Sequence, residues 1–182
     1  MELNSKYLID KCKLIEGNLS KLRLWANLIP KNSFFDNLRY LFHNDEWDII
    51  RKVVYKRDNF SCKICKRQNI KLEAHEEWVY NYENKTQKLE NIVSLCNLCH
   101  INKHLGFAEI LVKEKKKTQE SIINHWCWVN NEKEKNFNNY RESVFELWNL
   151  KNLIEWKIIS FDDNLISNKI NLSKLLKFLT VR

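Results

Sequence analysis

Residues that interrupt regular structure are scarce in this sequence, which has only two glycines and one proline among 182 residues. It also contains no internal repeat, no low-complexity linker and no apolar run near the ~18 residues that a membrane-spanning helix needs. These absences exclude repeat architectures and membrane-spanning proteins. No secretory signal opens the sequence, so we expect a cytoplasmic protein with no membrane partner.

The composition supplies ample material for a folded core. Apolar residues make up 44% of the chain, which includes seven tryptophans and nine phenylalanines, so disorder is excluded. A chain of this length fits one domain, or one small domain with helical extensions. The formal net charge of +8 suits a polyanionic partner, although solubility explains an excess of lysine equally well.

Four of the six cysteines form two C-x-x-C pairs separated by thirty residues. The pairs are Cys62 with Cys65 and Cys96 with Cys99. Two such pairs complete the tetrahedral sulfur shell of a structural zinc ion, and in a reducing cytoplasm this reading is favoured over disulfides. The two remaining cysteines are predicted to be buried free thiols in helices: Cys12 and Cys127.

The segment between the cysteine pairs holds His75 and Asn91, and His100 follows directly after Cys99, so the polar residues read His, Asn, His. His100 and His104 are four residues apart, so on a helix they lie on one face and can bind one metal ion together. A histidine pair with this spacing on a surface helix is otherwise usually solvent-exposed and binds no metal. The neighbouring cysteine pair and the upstream His75 favour the metal-binding interpretation.

This segment resembles the HNH nuclease family in its zinc-bearing form, in which a β-hairpin and a helix enclose a catalytic metal. The lines "AHEEWVYNYENKTQKLENIVSLCNLCHINKHLGFAE" and "FFDNLRYLFHNDEWDIIRKVVYKRDNFSCKIC" look like a bacterial and phage branch of that family. The resemblance is specific across about residues 34–108 and diffuse to about residue 159. It implies a ββα-metal core, a catalytic divalent metal and DNA as the substrate.

The resemblance also implies roles for single residues. His75 is the expected general base, because imidazole titrates near neutral pH and can take a proton from water. His100, directly after the last cysteine, is the expected metal ligand, and His104 is a ligand in some members only. Asn91 is expected to hydrogen-bond across the hairpin and hold His75 in orientation.

The sequence departs from a common form of the pattern at Ala74. Many members place a metal-binding Asp or His directly before the base, and alanine cannot coordinate a metal. On a regular strand Glu73 points to the same side as His75, which makes it the substitute ligand, with Glu76 available if the strand breaks at His75. The candidate catalytic metals are Mg²⁺, Mn²⁺, Ni²⁺ and Zn²⁺. Without a carboxylate ligand, a site of two histidines favours a transition ion over Mg²⁺.

Several basic and aromatic residues around the motif have two readings. Three basic residues beside the cysteines either offset the charge of the thiolates or contact DNA phosphates: Lys63, Lys66 and Arg67. Lys103 is a further candidate DNA contact. The charge run 113–117 is either a solvated face or a phosphate contact. Three aromatic residues either pack beneath a helix or lie against nucleic acid: Trp78, Tyr80 and Tyr82. His43 and His125 are expected to be ordinary structural residues.

Periodicity and capping residues predict a mostly helical α+β fold. We expect helices over residues 4–16, 20–28, 33–42, 45–57, 97–106, 118–129, 134–148 and 171–179, with Gly17 and Gly106 ending two of them. Strands are expected over 70–82, 87–94 and 155–161. The predicted organisation is an N-terminal helical extension over 1–44, an HNH core clasped by the four-cysteine zinc site over 45–108, and a mostly helical extension over 109–182.

The leading functional prediction is a metal-dependent HNH endonuclease that hydrolyses DNA phosphodiester bonds. A zinc-stabilised DNA-binding module with weak or no cleavage is the alternative, and Ala74 motivates it. A third hypothesis is a helical protein-interaction factor whose metal site is purely structural.

Overall fold

The computed structural model describes residues 5–33, 38–159 and 171–180. These residues form an α+β fold with eight α-helices and a small three-stranded sheet, in agreement with the predicted mostly helical α+β class. The helices are α1 (Ser5–Leu19), α2 (Leu38–Leu41), α3 (Asn44–Arg57), α4 (Asn97–Lys103), α5 (Leu105–Lys113), α6 (Gln119–Asn130), α7 (Lys135–Lys151) and α8 (Leu172–Thr180). The strands are β1 (Leu72–Asn81), β2 (Thr86–Cys96) and β3 (Lys157–Ile159).

Contacts within the chain group it into two units, each built from two separate segments. The helical unit comprises Met1–Pro30 and Asn97–Ile154, and the sheet unit comprises Lys31–Cys96 and Glu155–Arg182. The predicted division at residues 44/45 and 108/109 follows chain order. The contacts do not, because α1 packs on α7 and α8 packs on α3.

The sheet unit is organised around the predicted hairpin. Strand β1 pairs antiparallel with β2 from Leu72↔Cys96 to Asn81↔Thr86, with one register shift after Glu77. The turn is closed by Asn81, whose side-chain carbonyl accepts a hydrogen bond from the backbone N–H of Asn84 at 2.9 Å. Strand β3 adds to the sheet in parallel with the start of β2. The predicted third strand over 155–161 is therefore present at Lys157–Ile159, residues 155 and 156 precede it, and residues 160 and 161 lie outside the described part.

Helix α3 covers this hairpin and has the charge pattern that a helix dipole favours. Acidic residues occupy its first turn and basic residues its last turn. His43 is its N-cap, and its backbone N–H donates to the Glu46 carboxylate at 2.9 Å. Trp47, Ile50 and Val54 form the buried face. The predicted helix is confirmed, with His43 rather than Asn44 as the cap.

The segment between α1 and residue 30 is not the second helix that the sequence predicts. Its backbone is held in a non-helical conformation by side chains from α6 and α7. The backbone N–H of Leu24 donates to the side chain of Asn130 at 2.8 Å, and that of Ala26 donates to the Tyr140 hydroxyl at 2.9 Å. Partners more than one hundred residues away therefore override the local helix signal.

Both predicted glycine stops are also wrong. Gly17 lies inside α1, which continues to Leu19, and Gly106 lies inside α5. The chain instead breaks at His104, whose φ of −104° and ψ of 55° separate α4 from α5. The predicted helix over 33–42 is a 3₁₀ turn at Lys31–Ser33 followed by α2, and residues 34–37 lie outside the described part.

The helical unit contains one fully buried lysine. Lys151, at the end of α7, donates to the side-chain carbonyl of Asn27 and pairs with Glu16 at 3.4 Å. Cys12 is buried, as predicted, and burial raises the pKa of its thiol to about 11. Cys127 is only half-buried. Within the described ranges no helix is both long and apolar enough to cross a membrane.

Candidate metal centres

The first cysteine pair lies in a tight turn after α3. The backbone N–H of Lys66 donates to the carbonyl of Cys62 at 2.9 Å, and Lys66 adopts a left-handed φ of 64°. The N–H of Lys63 donates to the carbonyl of Ser94 at 2.8 Å, so this turn is fastened to β2 two residues before Cys96. Local backbone bonds thus position Cys62 and Cys65 against the end of β2.

All four paired cysteines are buried, and their sulfur atoms lie within 4.8 Å of one another. The Sγ atoms of Cys65 and Cys96 are 3.6 Å apart. Two thiolates bound to one tetrahedral zinc ion at ~2.3 Å would be separated by about 3.8 Å. The donor set and its spacing fit zinc, which confirms the prediction that these cysteines could hold a zinc ion.

His125 touches this cysteine cluster, which the sequence did not predict. Its Nε2 atom lies 3.1 Å from the Sγ atom of Cys99, and its side chain is only 4% exposed. The ring comes from the middle of α6, twenty-six residues after Cys99. No motif spacing links the two positions, so only the packing of α6 against α4 reveals the contact.

A second group is formed by the three histidines of the predicted motif. One ring nitrogen from each of His75, His100 and His104 lies within 4.8 Å of the other two. His75 is buried in β1, where it pairs with Val93, and the other two are half-buried. The rings of His100 and His104 are 4.7 Å apart and nearly perpendicular.

The break at His104 does not separate the two helical histidines. The backbone N–H of His104 still donates to the carbonyl of His100 at 3.1 Å, so their four-residue spacing keeps both on one side. Asn102 lies between them and is fully buried. Its amide donates to the carbonyls of Leu98 at 2.9 Å and Ile122 at 3.3 Å, which fixes α4 against α6.

Neither candidate carboxylate belongs to the histidine group. Strand β1 stays regular through Glu76, so that residue points away from His75. Its carboxylate accepts hydrogen bonds from the backbone N–H of Leu38 at 3.1 Å and from Trp78 Nε1 at 3.2 Å. Burial outweighs these bonds and raises the pKa of Glu76 to about 7. Glu73 instead lines a groove beside α3.

Asn91 has different partners from those expected. Its side-chain carbonyl accepts from Arg57 Nη1 at 3.0 Å and from the backbone N–H of Ile92 at 2.9 Å, rather than from His75. Arg57 Nη2 also donates to the carbonyl of Ile92 at 2.6 Å. Asn91 lies opposite Glu77, at the register shift of the hairpin. It therefore stabilises the backbone of β2 at an irregular point and does not orient His75 directly.

Asp58 connects the end of α3 to the same strand. Its Oδ2 atom accepts from the backbone N–H of Ser94 at 2.8 Å and from the Ser94 hydroxyl at 2.9 Å, while Oδ1 pairs with Arg57 at 3.0 Å. Burial opposes ionisation of this carboxyl, but the bonds from Arg57 and Ser94 hold its pKa below the usual range. A buried ionic network therefore supports β2 just before Cys96.

The predicted basic residues lie near the cysteine turn and on α4. Lys63, Lys66 and Arg67 are exposed, and Lys63 is 3.8 Å from Asp58. Lys103 lies over the ring of Trp25 at 5.4 Å. Within the charge run 113–117, Lys116 pairs with Glu114 at 2.7 Å.

The alternating aromatic residues of the hairpin follow the packing interpretation. Trp78 and Tyr82 are buried, and Tyr80 and Tyr82 make edge contacts with Trp156 at 4.9 and 5.6 Å between ring centroids. They therefore contribute to the packing of the sheet unit.

No family model matches this chain, and neither a curated protein nor a solved structure matches it. A function must therefore be argued from the side chains themselves.

Proposed function

We propose that this chain is a metal-dependent HNH endonuclease that hydrolyses DNA phosphodiester bonds in the cytoplasm. The observation that carries the proposal is the convergence of ring nitrogens from His75, His100 and His104 within 4.8 Å. Of these histidines, His100 directly follows Cys99 of the buried four-cysteine cluster, and His104 is four residues further along. A β-hairpin followed by a helix, with a zinc-fitting cysteine cluster at its base, is the arrangement that the resemblance to ββα-metal nucleases implies.

Each histidine then has a separate task. His100 and His104 would hold a divalent cation, which supplies positive charge to the scissile phosphate and to the departing 3′ oxygen. His75 would take a proton from the attacking water. His75 lies in the middle of β1, and the pairing of β1 with β2 fixes the backbone at His75. This fixed position supports the role of a general base.

The donor set indicates which cation the site would take. The group contains three imidazole rings and no carboxylate among the described residues. Imidazole suits Zn²⁺, Ni²⁺ and other transition ions, whereas Mg²⁺ prefers oxygen ligands. We therefore expect activity with Mn²⁺, Ni²⁺ or Zn²⁺ to exceed activity with Mg²⁺. The four cysteines would hold a separate, structural Zn²⁺.

DNA is the proposed substrate because of the charge of the chain and its exposed basic residues. The net charge is +8, and exposed lysines and arginines surround the first cysteine pair. Binding dominated by phosphate contacts should weaken steeply as salt is raised.

A second candidate function is a zinc-stabilised DNA-binding module with weak or no cleavage. The observation that favours it is that His75 lies within ligand distance of the other two histidines, while Ala74 and Glu73 add no donor. If His75 is itself a metal ligand, the group retains no imidazole for proton transfer.

A plasmid-nicking assay with Mg²⁺, Mn²⁺, Ni²⁺ and Zn²⁺ tests the proposal on the wild-type chain and on His75→Ala. Metal content is measured on both proteins. We expect His75→Ala to lose cleavage and to keep both metal ions. Loss of one ion together with cleavage would make His75 a ligand rather than a base. DNA binding without nicking by the wild type under every metal would support the module.

Two further variants complete the assay. Glu73→Gln should keep both the second metal ion and cleavage, because Glu73 lies outside the histidine group. His43→Ala is the matched control, since it removes an exposed histidine that caps α3 and lies outside both candidate metal groups.

A further inference from the structure

A groove of about 410 Å³ lies in the sheet unit between α3 and the start of β1. Its charged lining residues are three cations and two carboxylates: Arg39, Arg51, Lys71, Asp48 and Glu73. The aromatic rings of Trp47 and Tyr55 complete the walls. The sequence indicated none of the three cations as a binding residue, because they come from separate elements of the chain.

Two of the three cations of the groove are held in place by neighbouring side chains. Arg51 Nε donates to Asp48 at 2.6 Å, and Arg51 is also hydrogen-bonded to Tyr55. The guanidinium of Arg39 lies over the ring of Trp47 at 5.3 Å. Lys71 is exposed, and no described residue forms an ion pair with it. The groove thus presents two arginines that are already oriented before a ligand arrives, beside an exposed lysine.

The groove continues to the strand that carries the proposed general base. Glu73 and Ala74 line it, and His75 is the next residue of β1. Glu73 and His75 project to the same side of the strand and are separated by ~7 Å. Strand β1 is an edge of the sheet, so a DNA strand that follows this edge would meet both the groove and His75.

The aromatic residues decide between a nucleobase and a backbone phosphate as the occupant. Trp47 is buried and lies beneath Arg39, so it offers no open face for stacking. The hydroxyl of Tyr55 donates to the carbonyl of Leu72 at 2.9 Å and is committed to holding the start of β1. The groups that point to a ligand are therefore cations, which favours phosphate.

We propose that this groove binds the sugar–phosphate backbone of the DNA strand next to the scissile phosphate, with Arg39, Arg51 and Lys71 as the phosphate contacts. The proposal rests on the nuclease function above and names the path of its substrate. The three cations outnumber the two carboxylates, and Asp48 is already paired with Arg51. The groove positions the substrate and takes no part in the chemical step.

The test is the affinity of the full chain for a labelled DNA duplex of random sequence, measured by fluorescence anisotropy at several salt concentrations. We expect the double variant Arg39→Gln/Lys71→Gln to bind at least ~10-fold more weakly at low salt. Each lost phosphate contact should also reduce the salt slope by about 1. The matched control is Lys133→Gln/Lys135→Gln, which removes the same charge from exposed positions in the helical unit.

Lys71→Glu serves as a second variant, because an exposed lysine outside the regular elements can be replaced without loss of folding. Salt slopes of the groove variants equal to that of the wild type would overturn the proposal, as would an equal loss of affinity in the control. If the groove variants bound RNA more weakly than the wild type but bound DNA equally well, the assignment to DNA would be overturned.

The same measurement on His75→Ala separates this proposal from the nuclease function. If His75→Ala binds DNA through the groove while the wild type never cleaves DNA, the groove is a DNA-binding site and the nuclease function is wrong. If the wild type cleaves through His75 while the groove variants bind normally, the nuclease stands and the groove fails.

Discussion

The Nε2 atom of His125 lies 3.1 Å from the Sγ atom of Cys99, in an environment where the imidazole is almost fully buried. A thiolate that is bound to zinc has no proton to give and can only accept a hydrogen bond. With zinc in the cysteine cluster, Nε2 must therefore carry the proton and donate it to the sulfur. Such a contact partly offsets the negative charge of four thiolates and fixes the direction of one of them.

Replacing His125 is therefore expected to weaken the zinc site without removing a ligand. His125→Ala should lower the zinc affinity roughly 10- to 100-fold, the usual effect of losing a partner of a metal ligand, and zinc should pass to a chelator faster than from the wild type. His125→Gln, whose amide can still donate, should recover part of the difference. Equal release rates in all three proteins would contradict the role of the hydrogen bond.

Removing one of the cysteines should have a larger effect. Cys62→Ser is expected to lose stoichiometric zinc and to lower the free energy of unfolding by several kcal/mol, because the binding energy of a structural zinc ion is also folding energy. Cys127→Ser is the control, since Cys127 is half-buried and lies outside the cluster. Metal analysis and denaturant unfolding measure both effects. A Cys62→Ser protein with full zinc content would show that the four sulfurs do not form one site.

Two arginine–aspartate pairs, one within α3 and one at its C-terminal end, should differ sharply in their contribution to stability. The Arg57 and Asp58 side chains are 10% and 1% exposed, whereas those of Arg51 and Asp48 are 37% and 47% exposed. Arg57→Met should cost about 3 kcal/mol, because it leaves Asp58 charged and buried without its main cation. Arg51→Met should cost less than about 1 kcal/mol. Urea unfolding at neutral pH compares them, and similar losses would contradict the buried network.

The raised pKa of Glu76 should make the free energy of unfolding depend on pH between about 4.5 and 7. Burial raises its pKa in the folded protein from 4.5 to about 7, so the folded state binds a proton that the unfolded state has lost. The stabilisation is fully present below pH 4.5 and disappears as the pH rises through 7. Its size is roughly 3 kcal/mol.

Glu76→Gln should remove this dependence, because glutamine stays neutral at every pH. We expect the variant to be more stable than the wild type at about pH 8, with the difference shrinking toward about pH 5. The hydrogen bond from Trp78 Nε1 reduces the gain, since the new amide nitrogen cannot accept it. Stability curves that run parallel for both proteins across this range would exclude a raised pKa.

Local sequence signals were sufficient for the elements that carry the candidate sites. Alternating and helical apolar patterns located β1, β2 and α3 to within a few residues, because one face of each is buried against a neighbour. The two C-x-x-C pairs indicated a zinc site, since the spacing within each pair lets both of its thiolates bind the same zinc ion. The order of His75, Asn91 and His100 likewise identified two of the three histidines that converge.

Contacts between distant segments were decided only by the tertiary structure. The stretch after α1 is held in a non-helical conformation by Asn130 and Tyr140, and His125 reaches Cys99 from another helix. Asn91 is held by Arg57 rather than directed at His75. In each case the partner lies between 26 and 114 residues away, so its position depends on how helices and strands pack, and no local pattern encodes that packing.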